Sequence, residues 1–134
     1  MTVLVVDAAN VVGSRPDGWW RDRAGATERL LGRLAALPGT ALAGPEGPLE
    51  CTGVVAVVEG RAREVLAPDD VRVVRAAGSG DDALAQFVAE RTTDDAPLLV
   101  VTADRGLRAR LPAGTAVTGP GWLLDQLDRL AGPA

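Results

Sequence analysis

Five short apolar runs punctuate the chain, Val3–Val6, Val54–Val58, Val71–Val74, Leu98–Val101 and Thr115–Val117. They are rich in β-branched residues and show little polar alternation, the pattern of strands buried on both faces of a parallel sheet. Between them apolar positions recur at helical spacing, predicting helices over Thr27–Leu37 (Leu30, Leu31, Leu34), Asp81–Arg91 (Leu84, Phe87, Val88), Arg105–Leu111 and Trp122–Leu130. The crossover Arg61–Ala67 is short enough to be a single helical turn. The Gly- and Pro-rich stretch 38–48 reads as a loop. Alternating strand and helix predicts an α/β fold, a three-layer α/β/α sandwich with a mainly parallel five-stranded sheet and right-handed crossovers. At 134 residues the chain has the size of a single domain spanning 1–134.

Composition then removes options. No apolar run approaches the roughly 20 residues of a membrane helix, and Met1–Asp7 lacks the basic start of a signal peptide, so a cytoplasmic protein without a membrane partner is expected. Cys51 stands alone, which excludes an internal disulfide and a Cys-based zinc site; set in a loop with no basic neighbour, it is expected to be inert. There is no His and no Tyr, and all 14 basic residues are Arg. Ser-His and Cys-His pairs, Schiff-base lysines and the lysine of a phosphate-binding loop are therefore excluded. Carboxylates and metal remain as catalytic material. The net charge of −4 argues against nucleic-acid binding by bulk positive charge, leaving metal ions or local Arg clusters to meet phosphates.

Four acids recur at equivalent places. Asp7 follows the first strand, Glu59 the second, Asp81 opens the helix after the third, and Asp104 follows the fourth. Parallel strands end on one edge, where open α/β folds bind ligands, so these carboxylates are expected to share a cleft. At a near-surface dielectric two like charges about 4 Å apart cost about 4 kcal/mol, a conflict that a divalent cation removes. Oxygen-only ligands favour Mg²⁺ or Mn²⁺, which suit phosphate chemistry by activating water. Each acid taken singly also fits a helix cap. Asp82 fits that role best, at the third position after Ser79 in an acidic capping box. Glu59 fits it least, because it ends an apolar strand where a cap has no evident task.

Four segments carry a family resemblance: VLVVDAANVVG at 3–13, VVAVVEGRA at 54–62, GSGDDALAQFV at 78–88 and VVTADRGLRARL at 100–111. In order and spacing they resemble the PIN-like nucleases, within them the NYN branch. The resemblance implies a compact α/β/α fold, an acidic Mg²⁺- or Mn²⁺-dependent site, and cleavage of RNA. It matches Asp7, Asp81 and Asp104 to the family's metal-binding acids and Asn10 to the Asn of its D-x-x-N opening, which steadies ligand or substrate. Glu59 stands where the NYN branch usually has Asp; its expected role is to assist or position water. A helix-cap role for Asn10 stays open.

Arginines crowd the same rim: Arg15, Arg21 and Arg23 after the first acid, Arg61 and Arg63 after the second, Arg105, Arg108 and Arg110 after the fourth. Arg15, Arg61 and Arg105, with Ser79, are the candidates for holding substrate phosphates, against ordinary surface use. Trp19 and Trp20 fit either a base-stacking platform or packing against the first helix, and Trp122 reads as core. One rival reading is Gly78-Ser79-Gly80-Asp81-Asp82-Ala83, which fits a dinucleotide-binding G-x-G-x-x-A but sets two carboxylates against a pyrophosphate. The leading expectation is a metal-dependent ribonuclease acting on RNA. A catalytically silent PIN-like module that binds RNA or protein, a metal-dependent nucleotide phosphohydrolase, and a homodimeric assembly are the open alternatives.

Overall fold

In a computed structural model, which describes residues 1–15, 18–91 and 97–131, the chain is an α/β protein built on one mostly parallel sheet. The strands are β1 (Thr2–Asp7), β2 (Thr40–Gly44), β3 (Gly47–Val58), β4 (Arg72–Arg75), β5 (Leu98–Val101) and β6 (Ala116–Thr118). The helices are α1 (Ala8–Val12), α2 (Arg23–Leu34), α3 (Gly80–Glu90), α4 (Arg105–Arg110) and α5 (Pro120–Ala131). Single 3₁₀ turns at Trp19–Arg21 and Gly60–Glu64 complete the described elements. The second of these is the short crossover expected after Glu59.

The five apolar runs are all close to strands, but the sheet has six, not five. The difference lies in stretch 38–48, which is not a loop: β2 pairs antiparallel with the first half of β3 around a two-residue turn, Gly44 opposite Gly47. Gly47 has φ 125°, a conformation that glycine accepts and a side chain would strain. Pro48 is tolerated because β1 pairs with β3 only from Cys51 onward, leaving the proline at a partly open edge. Farther along, Val55–Val58 of β3 pair in parallel with β4 on the side away from β1. The path β3–β1–β5–β6 is parallel throughout.

Burial follows the two-residue pleat. On one face Leu4, Val6, Val54, Ala56, Val58 and Val101 pack with α1, α2 and α5 through Val11, Leu31, Leu34 and Leu123. On the other, Val5, Val55, Val57 and Val100 meet Leu84, Phe87 and Val88 of α3 and Leu107 of α4. Helices thus cover both faces, which explains why the strands look uniformly apolar. Trp122 is only partly buried; it packs at the rim of the first cluster and donates its Nε1–H to the Ala43 carbonyl at 2.8 Å. Among the described residues no helix is long and apolar enough to cross a membrane.

Leu84 anchors α3, and with it Asp81, to the sheet without any solvent exposure. Leu84→Ala is expected to lower unfolding free energy by about 2–5 kcal/mol in urea denaturation. Leu66→Ala, at a side chain 82% exposed, should stay within about 0.5 kcal/mol of the native protein. Equal effects of the two substitutions would contradict this packing.

Candidate functional site

The parallel register brings the acids to one end of the sheet. Asp7 is the last residue of β1, opposite Val57 of β3, and Val6 lies opposite Val101 of β5, so Asp7 sits level with Thr102. Only 6% of Asp7 is exposed. The Thr102 hydroxyl donates to Asp7 Oδ2 at 2.9 Å and accepts from the Asp104 backbone N–H at 3.1 Å, so one buried side chain ties Asp7 to the loop that carries Asp104. Asn10 secures the same loop from the other side, its Oδ1 accepting from the Ala103 N–H at 2.8 Å. Asn10 lies inside α1 and caps no helix end; its side chain positions the segment 102–104. Nothing in the sequence marks Thr102 except its place two residues before Asp104.

Asp104 is the N-cap of α4, Oδ1 accepting from the Leu107 N–H at 3.0 Å. Asp81 stands in the first turn of α3. Ser79 caps that helix through its hydroxyl, which accepts from the Asp82 N–H at 3.3 Å, and Asp82 pairs with Arg110 at 2.7 Å, so both are engaged in holding the helix end. Glu59 has a cap to make after all: its Oε2 accepts from the Gly80 N–H at 2.6 Å, reaching across to the N-terminus of α3. A methyl group on Gly80 would come within 2.9 Å of the Glu59 Cδ, so this approach requires glycine. The same bond removes the first helical N–H from the Gly78–Ala83 motif, which weighs against a pyrophosphate there.

The charges feel one another. Burial is the main cause that lifts the Asp7 carboxyl from its ordinary 3.8 to about 6. The Thr102 hydroxyl and the Asn10 backbone oppose that rise, while the charges of Asp81 and Glu59 add to it. Asp81 is also pushed up, first by partial burial, then by the charges of Asp104 and Glu59 and by a hydrogen bond to Asp104; Arg110 counteracts. All four predicted acids are therefore electrostatically coupled at the sheet edge. Their oxygens nevertheless do not embrace a common point. Among the described residues no three acidic side chains approach closely enough to hold one ion.

Beside Glu59 a cleft of about 390 Å³ opens between α1, Trp19, α2 and the turn at Gly60. Arg61 borders it, as does Arg23, whose guanidinium lies 5.2 Å from the centre of the Trp19 ring. The arginines expected to hold substrate thus divide. Arg61 faces the cleft, Arg105 is exposed at the start of α4, and Arg15 turns to Asp128 of α5 at 3.3 Å, which it shares with Arg33 at 2.6 Å. Trp20 is 52% exposed, so packing against the first helix does not account for it. Cys51 is not in a loop but fully buried in β3, where burial raises its thiol pKa and keeps it unreactive.

No family model and no curated protein matches the chain. Its fold does match solved structures. Rae1 (YacP) from Bacillus subtilis superposes with a TM-score of 0.73 at 16% identity, over 98% of this chain and 76% of that one. A point mutant of the same protein gives 0.69 at 16% identity, over 98% and 77%. At that identity the likeness establishes the shared fold.

A carboxyl with a folded-state pKa above its unfolded value contributes stability that is complete below pH 3.8 and is lost as pH rises through about 6. The loss for Asp7 corresponds to roughly 3 kcal/mol at 1.36 kcal/mol per unit. Asp7→Asn cannot ionise, so in EDTA its stability relative to the native protein should rise by most of that amount, about 2.4 kcal/mol, between pH 4 and pH 7. A difference that stays constant across this range, measured by urea denaturation, would contradict the burial argument.

Proposed function

We propose that the chain is a metal-dependent ribonuclease of the PIN-like superfamily, NYN branch. Its sheet and two helical faces form the three-layer sandwich of that fold, and it works in the cytoplasm. The observation that carries this reading is the gathering of Asp7, Glu59, Asp81 and Asp104 at one end of a parallel sheet, where the charges of their neighbours add to burial in raising Asp7 and Asp81. Repulsion of this kind costs the fold stability, and carboxyls perturbed by burial and by one another's charge are the pattern of a working site. The donor set, carboxylate oxygens without His or thiolate, suits Mg²⁺ or Mn²⁺. Asp7, Asp81 and Asp104 are the residues that would hold it. A divalent cation supplies charge neutralisation and Lewis acidity toward a phosphoryl oxygen.

The chain's own groups do the remaining work. Asn10 and Thr102 keep Asp104 and Asp7 in register through Ala103 and the Asp104 backbone. Glu59 spends Oε2 on Gly80 and keeps Oε1 for a water, which it orients toward phosphorus. The water oxygen bonds to phosphorus and one P–O ester bond breaks. The protons from water end on the leaving oxygen and the solvent, giving a phosphate monoester and a free hydroxyl. Arg61 and Arg105 provide bidentate contacts to flanking phosphates.

The bond from Glu59 to Gly80 and the splayed carboxylates favour one second reading, a catalytically silent module that binds RNA or protein. Glu59→Asp separates the two, because the shorter side chain releases Gly80: an optimised site loses Mn²⁺ affinity, and a crippled one gains it.

The purified protein is expected to cut RNA with Mg²⁺ or Mn²⁺ and not in EDTA. Asp81→Asn and Asp104→Asn should each slow the reaction by about 100-fold or more. Phosphate release from a free nucleoside triphosphate, with RNA left intact, would instead indicate a nucleotide phosphohydrolase. If no substrate is cut and neither variant changes metal affinity, the enzymatic reading fails.

A further inference from the structure

Resting on the ribonuclease reading, we propose that Trp20 and the arginines beside it form a subsite for an unpaired nucleotide of the RNA, adjoining the acidic edge. A second cleft of about 490 Å³ lies next to the one at Glu59, and the two share Arg23, Gly60 and Arg61. Trp20 and Arg21 line its outer part. Together the two clefts form one continuous path from an exposed indole to the Glu59 carboxylate. Each has the size of a small-ligand site, roughly 300–1,000 Å³.

The wall of this path is built for the contacts a single strand offers. Trp19 is clamped: the Arg23 guanidinium lies over its ring, and Trp20 meets it edge-on, with centroids 6.0 Å apart at 88°. That perpendicular contact holds Trp20 while leaving it 52% exposed. A large rigid ring held in place and half open to water is a stacking platform. Among the described residues the Arg21 and Arg61 side chains have no ion pair or hydrogen bond, in contrast to Arg15, Arg33 and Arg110, which are paired with Asp128 or Asp82. Two unpaired cations beside an exposed indole supply phosphate contacts and a base stack within one path. They do so in a protein whose net charge of −4 makes any local positive patch count. A base can lie on Trp20 only when it is not stacked in a duplex, so the path selects single-stranded RNA.

Binding of a fluorescein-labelled ten-nucleotide single-stranded RNA, in EDTA so that no cleavage intervenes, tests this by anisotropy and by indole fluorescence. Binding should quench the tryptophan emission. Trp20→Ala should weaken it about tenfold while Trp20→Phe retains most of it. Arg61→Ala should lower the slope of log affinity against log salt by about 0.7. A hairpin duplex of the same length should bind more weakly and lose nothing on Trp20→Ala. Native-like affinity of both Trp20→Ala and Arg61→Ala, no binding at all, or an equal Trp20 dependence for the duplex would overturn the proposal. If Trp20-dependent binding is found but Mg²⁺ and Mn²⁺ support no cleavage, the subsite stands and the catalytic reading falls. Cleavage with unchanged KM in Trp20→Ala removes the subsite and leaves the catalytic reading in place.

Discussion

The structure turns on the cost of placing carboxylates at the end of a buried parallel sheet. The register that puts β1 between β3 and β5 leaves Asp7 at the margin of two apolar layers, and Glu59, Asp81 and Asp104 arrive around it from elements that end or begin on the same edge. Asp104 and Glu59 cap helices there, but at the end of β1 an asparagine would carry no charge into the same buried place and so would cost less than Asp7.

What holds the group together is a set of short polar bonds to the acids. Thr102 takes Asp7, the Leu107 amide takes Asp104, and the Gly80 amide takes Glu59. These bonds pin the segments that carry the acids, so the edge is preorganised even though, among the described residues, no three of the acids converge. At Gly80 a Cβ would crowd the Glu59 carboxylate, so the side chain reaches the amide in this way because the residue is glycine. Preorganisation of this kind is what a site needs if a ligand is to meet the charges without first ordering the backbone.

Much of this is legible in the residues. The valine-rich runs give away the parallel strands because both faces of the sheet are covered, and the recurrence of acids after successive strands marks the edge. The hairpin at 40–51 is not legible. Its strand β2, Thr40-Ala41-Leu42-Ala43-Gly44, buries only Leu42, and its Gly and Pro residues, which serve the turn and an open edge, mimic a loop. The helix α1 has five residues, too few to show a period. The function of Glu59 as a cap is hidden because its partner is 21 residues away, a distance that local pattern cannot span. Thr102 is equally hidden, because a lone threonine after a strand carries no signal until the register sets it beside Asp7.

On this reading the carboxylates gather to hold a divalent cation. A crystal structure determined with Mn²⁺, using anomalous scattering at the manganese edge, tests it most directly. One strong anomalous peak is expected, with oxygens of Asp7, Asp81 and Asp104 at about 2.0–2.3 Å, close to the distances of hard divalent ions. Full-strength data with no peak, and with the carboxylates still as separate as they are without the ion, would contradict it.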